Sequence, residues 1–482
     1  MDRRTVLRAG AGAGLAAGLW APVGQAAAAR KDADWAGLKK LLGGRLFRPG
    51  DRQFWPLNLP ANPFYADRVP GGIAYPQTPD DVATAVNWAG ENGVKVVPRS
   101  GGHNYAGYST TDGGLLVHLG GMRDVKVNGT TLTVGAGARN ADVYAALKDT
   151  DLLLPGGRCP DVGVSGLVLG GGIGLATRNL GLTCDSLTGT TAVLADGYTA
   201  TCHENSNSEL FWACRGGAGG NFGINTSYTF RLHRVQGVVT YDLSWDWKDA
   251  KSALKALAGL IAESRHRKTL ACQFGLRTSG NARVYAQGLY FGPQETLMSL
   301  IGRLPRPKSR AVKRAGVWEG MSRFYETSSG DPYASGSIVA KQNLATPVIE
   351  QLVDAFSGWK SVTPASRATV SFFAMGGADT ALRPTDTAYV HRDATFIVDL
   401  ATYWSDGDPD QAAAGNKQAL QRLYGMLSAP LGTGAYQNFP DPDLQGWQAA
   451  YYGRNYAGLQ RVKRTVDPDR LFTYPQGIVP AP

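Results

Sequence analysis

Three glycine-rich loops set the strongest constraint on what this chain can fold into. Arg99-Ser-Gly-Gly-His-Asn-Tyr-Ala-Gly-Tyr-Ser109 follows a short apolar stretch, and Gly156-Gly-Arg-Cys-Pro-Asp-Val-Gly-Val-Ser-Gly166 runs on into Gly170-Gly-Gly-Ile-Gly174. Arg215-Gly-Gly-Ala-Gly-Gly-Asn-Phe-Gly-Ile224 closes the series. Consecutive glycines present backbone N–H groups with no Cβ in front of them, so such loops hold anions or lie flat against a ring. Three together predict a large phosphate-bearing cofactor, although tight turns in a β-rich domain explain any one of them. The 62 glycines are about twice the average usage. Low-complexity disorder does not account for them, because 11 Trp, 20 Tyr and 15 Phe are spread along the chain. The chain has no G-x-G-x-x-G, no Gly-Lys of a P-loop, no G-x-S-x-G elbow and no H-E-x-x-H zinc helix.

At 482 residues two domains are expected. Thr78-Pro-Asp-Asp81 supplies an N-cap, a proline at the first helical position and acidic groups on the dipole, which predicts a helix to about residue 91. Strands are expected at 94–97, 115–119 and 131–134, with a helix at 138–148. From Val238 the glycine loops thin out, and longer strands alternate with helices at 247–264 and 293–303. These regions divide as 30–237, 238–440 and an aromatic, basic end at 441–482 that closes back on the first domain. The fold class is α+β.

Arg3 and Arg4, a weakly apolar Ala/Gly stretch to Trp20 and the small residues Ala26 to Ala29 resemble a twin-arginine export signal over 1–29. The stretch is too short and too rich in glycine for a membrane anchor. Cleavage removes three arginines and one aspartate, taking the net charge from +10 to +8. With 18% charged residues and no block of like charge, no nucleic-acid partner is expected.

Arg99-Ser-Gly-Gly-His103, the Gly-Arg-Cys159 segment with its glycine tail, and the loop ending at Ile224 resemble the flavin-binding half of berberine bridge enzyme-like oxidases. So do Tyr451-Tyr-Gly-Arg-Asn-Tyr456, Arg461-Val-Lys463, Asp467-Pro-Asp469 and Pro475-Gln476, in the same order. The resemblance implies a two-subdomain FAD-binding domain of the vanillyl-alcohol oxidase type and an α+β substrate domain with an antiparallel sheet. It also implies FAD attached through both His103 and Cys159, an imidazole nitrogen and a thiolate being suitable soft nucleophiles. The residue-level alternatives are a capped loop histidine and a half-cystine. Setting Cys159 aside leaves Cys184, Cys202, Cys214 and Cys272, an even set whose pairing the sequence does not reveal. Cofactor contacts are implied for Arg99, Ser100, Gly101, Gly102, Gly166, Gly170, Gly171, Gly172, Gly174, Asn221, Gly223, Ile224, Tyr452 and Asn455. Asp161 and Ser165 depart from the family pattern around the cysteine.

The chemistry removes a substrate hydroxyl proton while a hydride leaves carbon, so a base is required. The resemblance points to Tyr451 as that base, with Asp399 accepting its proton in a relay. Tyr105 is expected on the substrate face and Tyr389 as a second active-site phenol. Val162 stands where relatives with valine admit oxygen, while His391 and Arg392 read as structural. The expected protein is a secreted FAD oxidase acting on a sugar, oligosaccharide or glycosylated-metabolite hydroxyl, with O2 as its other small-molecule partner and H2O2 as product. Oxidative tailoring of an alkaloid, terpenoid or polyketide is the enzymatic alternative, and an inactive binding protein of this fold the other class.

Overall fold

The computed structural model describes residues 33–263, 268–278, 283–327 and 329–482. The expected export signal over 1–29 lies outside them. Trp35–Pro482 forms one compact unit. Among the described residues no helix is long and apolar enough to cross a membrane.

The first predicted helix runs Pro79–Asn92. Thr78 Oγ1 accepts the Asp81 N–H at 3.1 Å while Asp81 Oδ2 accepts the Thr78 N–H at 3.2 Å, and Gly93 at φ 60° ends the helix in the left-handed region. The helix expected at 138–148 begins only at Asn140. Arg139 is extended, and its N–H is taken by the Asp142 carboxylate. The one expected at 247–264 is a 3-10 turn, Trp247–Asp249, followed by the helix Ala250–Glu263.

Three main sheets carry the fold, α+β as the sequence implies. A small sheet orders Leu46–Phe47, Gly72–Ala74, Leu115–His118 and Val96–Arg99, its last three strands parallel. A five-stranded antiparallel sheet orders Val125–Asn128, Thr131–Gly135, Ile224–Arg231, Leu187–Val193 and Thr199–His203. Two of the glycine loops leave from strand ends here: 99–109 follows Val96–Arg99, and 215–223 leads into Ile224–Arg231. Residues of both loops line the same cavity.

The third sheet has seven antiparallel strands, ordered Ser309–Ala315, Val238–Trp245, Arg283–Tyr290, Gln273–Arg277, Arg367–Ala374, Phe396–Tyr403 and Tyr333–Ala340. Its two faces follow strand alternation. Phe274, Leu276, Val370, Phe372, Val398 and Leu400 face a core completed by Leu257 of Ala250–Glu263, Leu352 of Thr346–Ser357 and Leu423 of Asp410–Leu431. Phe274, Phe372 and Phe396 pack ring on ring within 6 Å. The intervening positions, among them Gln273, Arg277, Thr369, Ser371, Asp399 and Tyr403, line a cavity instead. A sheet with one face packed by helices and the other polar but enclosed is a platform for a ligand.

The segment 441–482 reaches back to the first region. Phe472 bridges Val96 in parallel, and the Ile478 N–H donates to Asn221 Oδ1. Lys463 Nζ donates to the Asn221 and Phe472 carbonyls and to Asp467 Oδ2 with both side chains fully buried.

Candidate active site

A cavity of about 740 Å³ lies between the glycine loops and the polar face of the seven-stranded sheet. From the loop side it is lined by Ser100, Gly101, Gly102, His103, Tyr105, Cys159, Val162, Gly166, Gly174, Gly223 and Ile224, and from the C-terminal segment by Tyr451 and Tyr452. From the sheet side come Asp399, Ser335, Tyr333 and Tyr403. The folding together of loops 60 residues apart in sequence rests on a contact without side chains. A Cβ on Gly101 would meet the backbone of Asp161 and Gly163, the segment that carries Cys159. Gly101→Ala is therefore expected to destabilise the protein by about 1–3 kcal/mol and lower its bound flavin. Thermal melting and the ratio of visible to protein absorbance measure both, and a fully loaded variant of unchanged melting temperature would contradict the packing.

The cavity end beside His103 and Cys159 is closed by aromatic rings. Tyr105 stacks on Phe439 at 5.4 Å with the planes 1° apart and meets Tyr333 edge-on at 5.2 Å. Asp399 lies among these phenols: its Oδ1 accepts from Ser335 Oγ at 3.1 Å. Burial pushes its carboxyl up to about 7, Glu326 adds to this, and Ser335 and Arg158 oppose it. Burial raises the phenols of Tyr105, Tyr333 and Tyr403 too, and the Asp399 charge raises each further. They stay protonated and act as donors.

Family models match in two places: "FAD binding domain" over residues 70–203 and "Berberine and berberine like" over 435–479. The uncharacterized FAD-linked oxidoreductase YgaK of Bacillus subtilis is 33% identical, over 86% of this chain and 92% of its own. The chain belongs to the berberine bridge enzyme-like family. A xylooligosaccharide oxidase of Thermothelomyces thermophilus in that family is 31% identical over 87% of this chain and 90% of its own. The glucooligosaccharide oxidase of Acremonium strictum, described with a 6-S-cysteinyl, 8α-N1-histidyl FAD, superposes with a TM-score of 0.82 at 26% identity. That match covers 92% of this chain and 99% of the other. This berberine bridge enzyme-like protein is an FAD-linked oxidoreductase.

The residues present fit the flavin dinucleotide. Gly102 and Gly220 have positive φ on the cavity wall, and Gly166 has open space where a Cβ would stand. Among the described residues, the buried polar atoms Tyr108 Oη, Ser109 Oγ, Arg158 Nη1 and Gln437 Oε1 on the cavity wall have no protein partner. A cradle without side chains, ringed by unsatisfied polar groups, suits a large polar ligand.

Several sequence-derived roles change in three dimensions. Tyr451 lines the cavity but is not beside Asp399. Its hydroxyl accepts the Asp441 N–H at 3.1 Å and donates to Gln476 Oε1 at 3.3 Å. Burial raises it well above the ordinary phenol value, and no cation offsets that. Among the described residues no direct hydrogen bond joins Tyr451 to Asp399 for the expected relay, and the carboxyl among the phenols beside Cys159 is Asp399 itself. Tyr389 is fully buried behind the cavity wall, against Gly171, Gly216 and Tyr436. Arg99 is also behind it, donating to the carbonyls of Leu57, Asn58 and Ser109. Asn455 holds the Pro384 and Thr387 carbonyls, and Asn221 supports Gly217 and the Tyr474 hydroxyl. Gly170, Gly171 and Gly172 admit Asn438, Tyr389 and Thr183 rather than a ligand. These residues hold the loops in place and do not line the cavity. His391 and Arg392 are structural as expected: Arg392 pairs with Asp185 at 2.7 Å and His391 Nε2 is 3.1 Å from the Tyr451 carbonyl.

The structure also answers the pairing that the sequence left open. All five are free thiols, so the even set is unpaired. Burial pushes the Cys159 thiol up to about 11, Glu326 adding to it, so the protein alone holds a thiol there and not the expected thiolate. Burial lowers His103, which keeps its imidazole neutral. Tyr333, Ser335, Tyr403, Phe439 and Arg277 were missed from sequence. The available signal was the alternation of polar residues on otherwise apolar strands, as in Arg367, Thr369 and Ser371, and in Asp399 and Tyr403.

Proposed function

We propose that this protein is an exported FAD-dependent oxidase of carbohydrate hydroxyl groups, using O2 and giving H2O2, with FAD held covalently by His103 and Cys159. The observation that carries this reading is Asp399, a half-buried carboxyl on the polar sheet face of the cavity that His103 and Cys159 also line, pushed up to about 7 by its enclosure. Bound FAD supplies the hydride acceptor and the route of electrons to O2. Asp399 takes the hydroxyl proton, a task suited to a base poised near neutrality. Tyr105, Tyr333 and Tyr403 donate hydrogen bonds and offer ring faces, a surface that suits sugars. Val162 on the cavity wall leaves room beside Cys159. The oligosaccharide-oxidase relatives support the substrate class, and the arginine pair before an Ala/Gly stretch supports export.

A peroxide-coupled screen of mono- and oligosaccharides against hydrophobic alcohols tests the function. Sugar-dependent peroxide is expected, and turnover confined to hydrophobic alcohols would reassign the enzyme to metabolite tailoring. Acid precipitation tests the linkage. Colour is expected to stay in the pellet for the wild type and for His103→Ala and Cys159→Ala singly, and to leave it only in the double variant. Wild-type flavin released to the supernatant would refute covalent attachment.

A further inference from the structure

We propose that the outer end of the substrate cavity is an anion subsite built on Arg277, and that the preferred sugar carries a carboxylate on a ring next to the one oxidised. The inference deepens the carbohydrate-oxidase reading and rests on it. Three arginines line the cavity, Arg158, Arg277 and Arg367. Two are neutralised: Arg367 pairs with Asp331 at 2.8 Å and Arg158 with Glu326 at 3.0 Å. Arg277 forms no ion pair among the described residues, although Asp242 is near enough to feel its charge. Its guanidinium lies over the Tyr285 ring at 4.1 Å. Stacking fixes the plane of a guanidinium and leaves its N–H edge to grip a carboxylate with two hydrogen bonds.

Arg158 strengthens the case independently. Its side chain is 7% exposed and its charge is balanced by Glu326, but Nη1 is buried with no partner among the described residues, so one N–H donor stays open to a ligand. Burial pushes the Tyr285 phenol up, Arg277 and Arg158 pull it back, and Glu326 opposes them. The position is also right for a second sugar. Arg277 pairs with Thr369, Thr369 with Ala401, and Asp399 is two residues along that strand. Two strand spacings and two residues of rise put the Arg277 and Asp399 Cα atoms roughly 12 Å apart. A disaccharide with its reacting carbon at Asp399 therefore has its second ring within reach of Arg277.

The test compares cellobiose with glucuronosyl-β-1,4-glucose, the same disaccharide with a carboxylate on the non-reducing ring, on the flavin-loaded enzyme. In the wild type the acidic sugar is expected to show about tenfold lower KM at low salt, an advantage that shrinks at high salt. In Arg277→Gln the two KM values should fall within about threefold of each other, and Arg277→Lys should keep part of the gap. Equal KM values in the wild type, or a preference that survives Arg277→Gln, overturns the subsite. If neither sugar is oxidised, the carbohydrate reading fails, and calorimetry with sodium glucuronate decides the subsite separately. Binding that is lost in Arg277→Gln upholds it, and no binding to the wild type rejects it.

Discussion

Replacing Asp399 with asparagine is expected to lower kcat by about 10²–10⁴-fold, the range typical of a lost general base. The change keeps the size of the side chain and an oxygen to accept the Ser335 hydroxyl at 3.1 Å, so the cavity should keep its shape. What it removes is the site's proton acceptor. The surrounding phenols cannot take over, because burial, the largest cause at each of them, still holds Tyr105, Tyr333 and Tyr403 in the protonated form. The pH profile gives a second readout. With the carboxyl at about 7, wild-type kcat/KM should rise with pH to near that value and level off above it, whereas the residual rate of the variant should lack this step. Stability should move the other way. A carboxyl raised in the folded state binds its proton more tightly there than in the unfolded chain, so stability falls as pH rises from about 4 to about 7. Asparagine removes that dependence, and the variant should melt no lower than the wild type at neutral pH. An Asp399→Asn enzyme within a few-fold of wild-type kcat would return the role of base to a phenol.

Lys463→Met should cost about 3–5 kcal/mol, because it leaves the Asp467 carboxylate buried with no counter-charge. Lys463 and Asp467 are both fully buried, and Nζ also donates to the Asn221 and Phe472 carbonyls at 2.5 and 2.7 Å. Burial lowers the lysine, Asp467 opposes that and the Arg470 charge adds to it. Asp467 in turn accepts the Leu471 and Phe472 N–H groups, so one ion pair ties the helix Tyr456–Val466 to the last strand-like segment and to the third glycine loop. The double variant Lys463→Met/Asp467→Leu should recover much of the loss, since matched apolar groups replace a buried pair better than one orphaned partner does. Denaturant melts of the singles and the double make the cycle. A single variant costing under 1 kcal/mol would show that water reaches Asp467. Flavin content should fall with stability, because Asn221 also supports Tyr474, a cavity residue.

The capping box at Thr78 and the residues around His103 and Cys159 were legible in sequence because their chemistry is local. A hydroxyl three residues before a carboxylate, or a run without Cβ atoms, acts within a few residues. Tyr389 and the partners of Tyr451 were not legible for the opposite reason. Both tyrosines stand in recognisable motifs, yet whether a phenol faces the cavity or a neighbouring carbonyl depends on what packs behind it, here Gln476 and Asp441 for Tyr451 and Gly171 with Gly216 for Tyr389.

Sequence alone determined the family, the FAD cofactor, the α+β class and the loops that meet around a flavin, since these depend on backbone freedom and on motif order along the chain. Only the tertiary structure decided which acid stands by the phenols, that the five thiols stay apart, and that Arg277 forms no ion pair among the described residues. Those are properties of distance and burial. They arise when strands remote in sequence are brought side by side and water is excluded between them, which sets the charge that each group can carry.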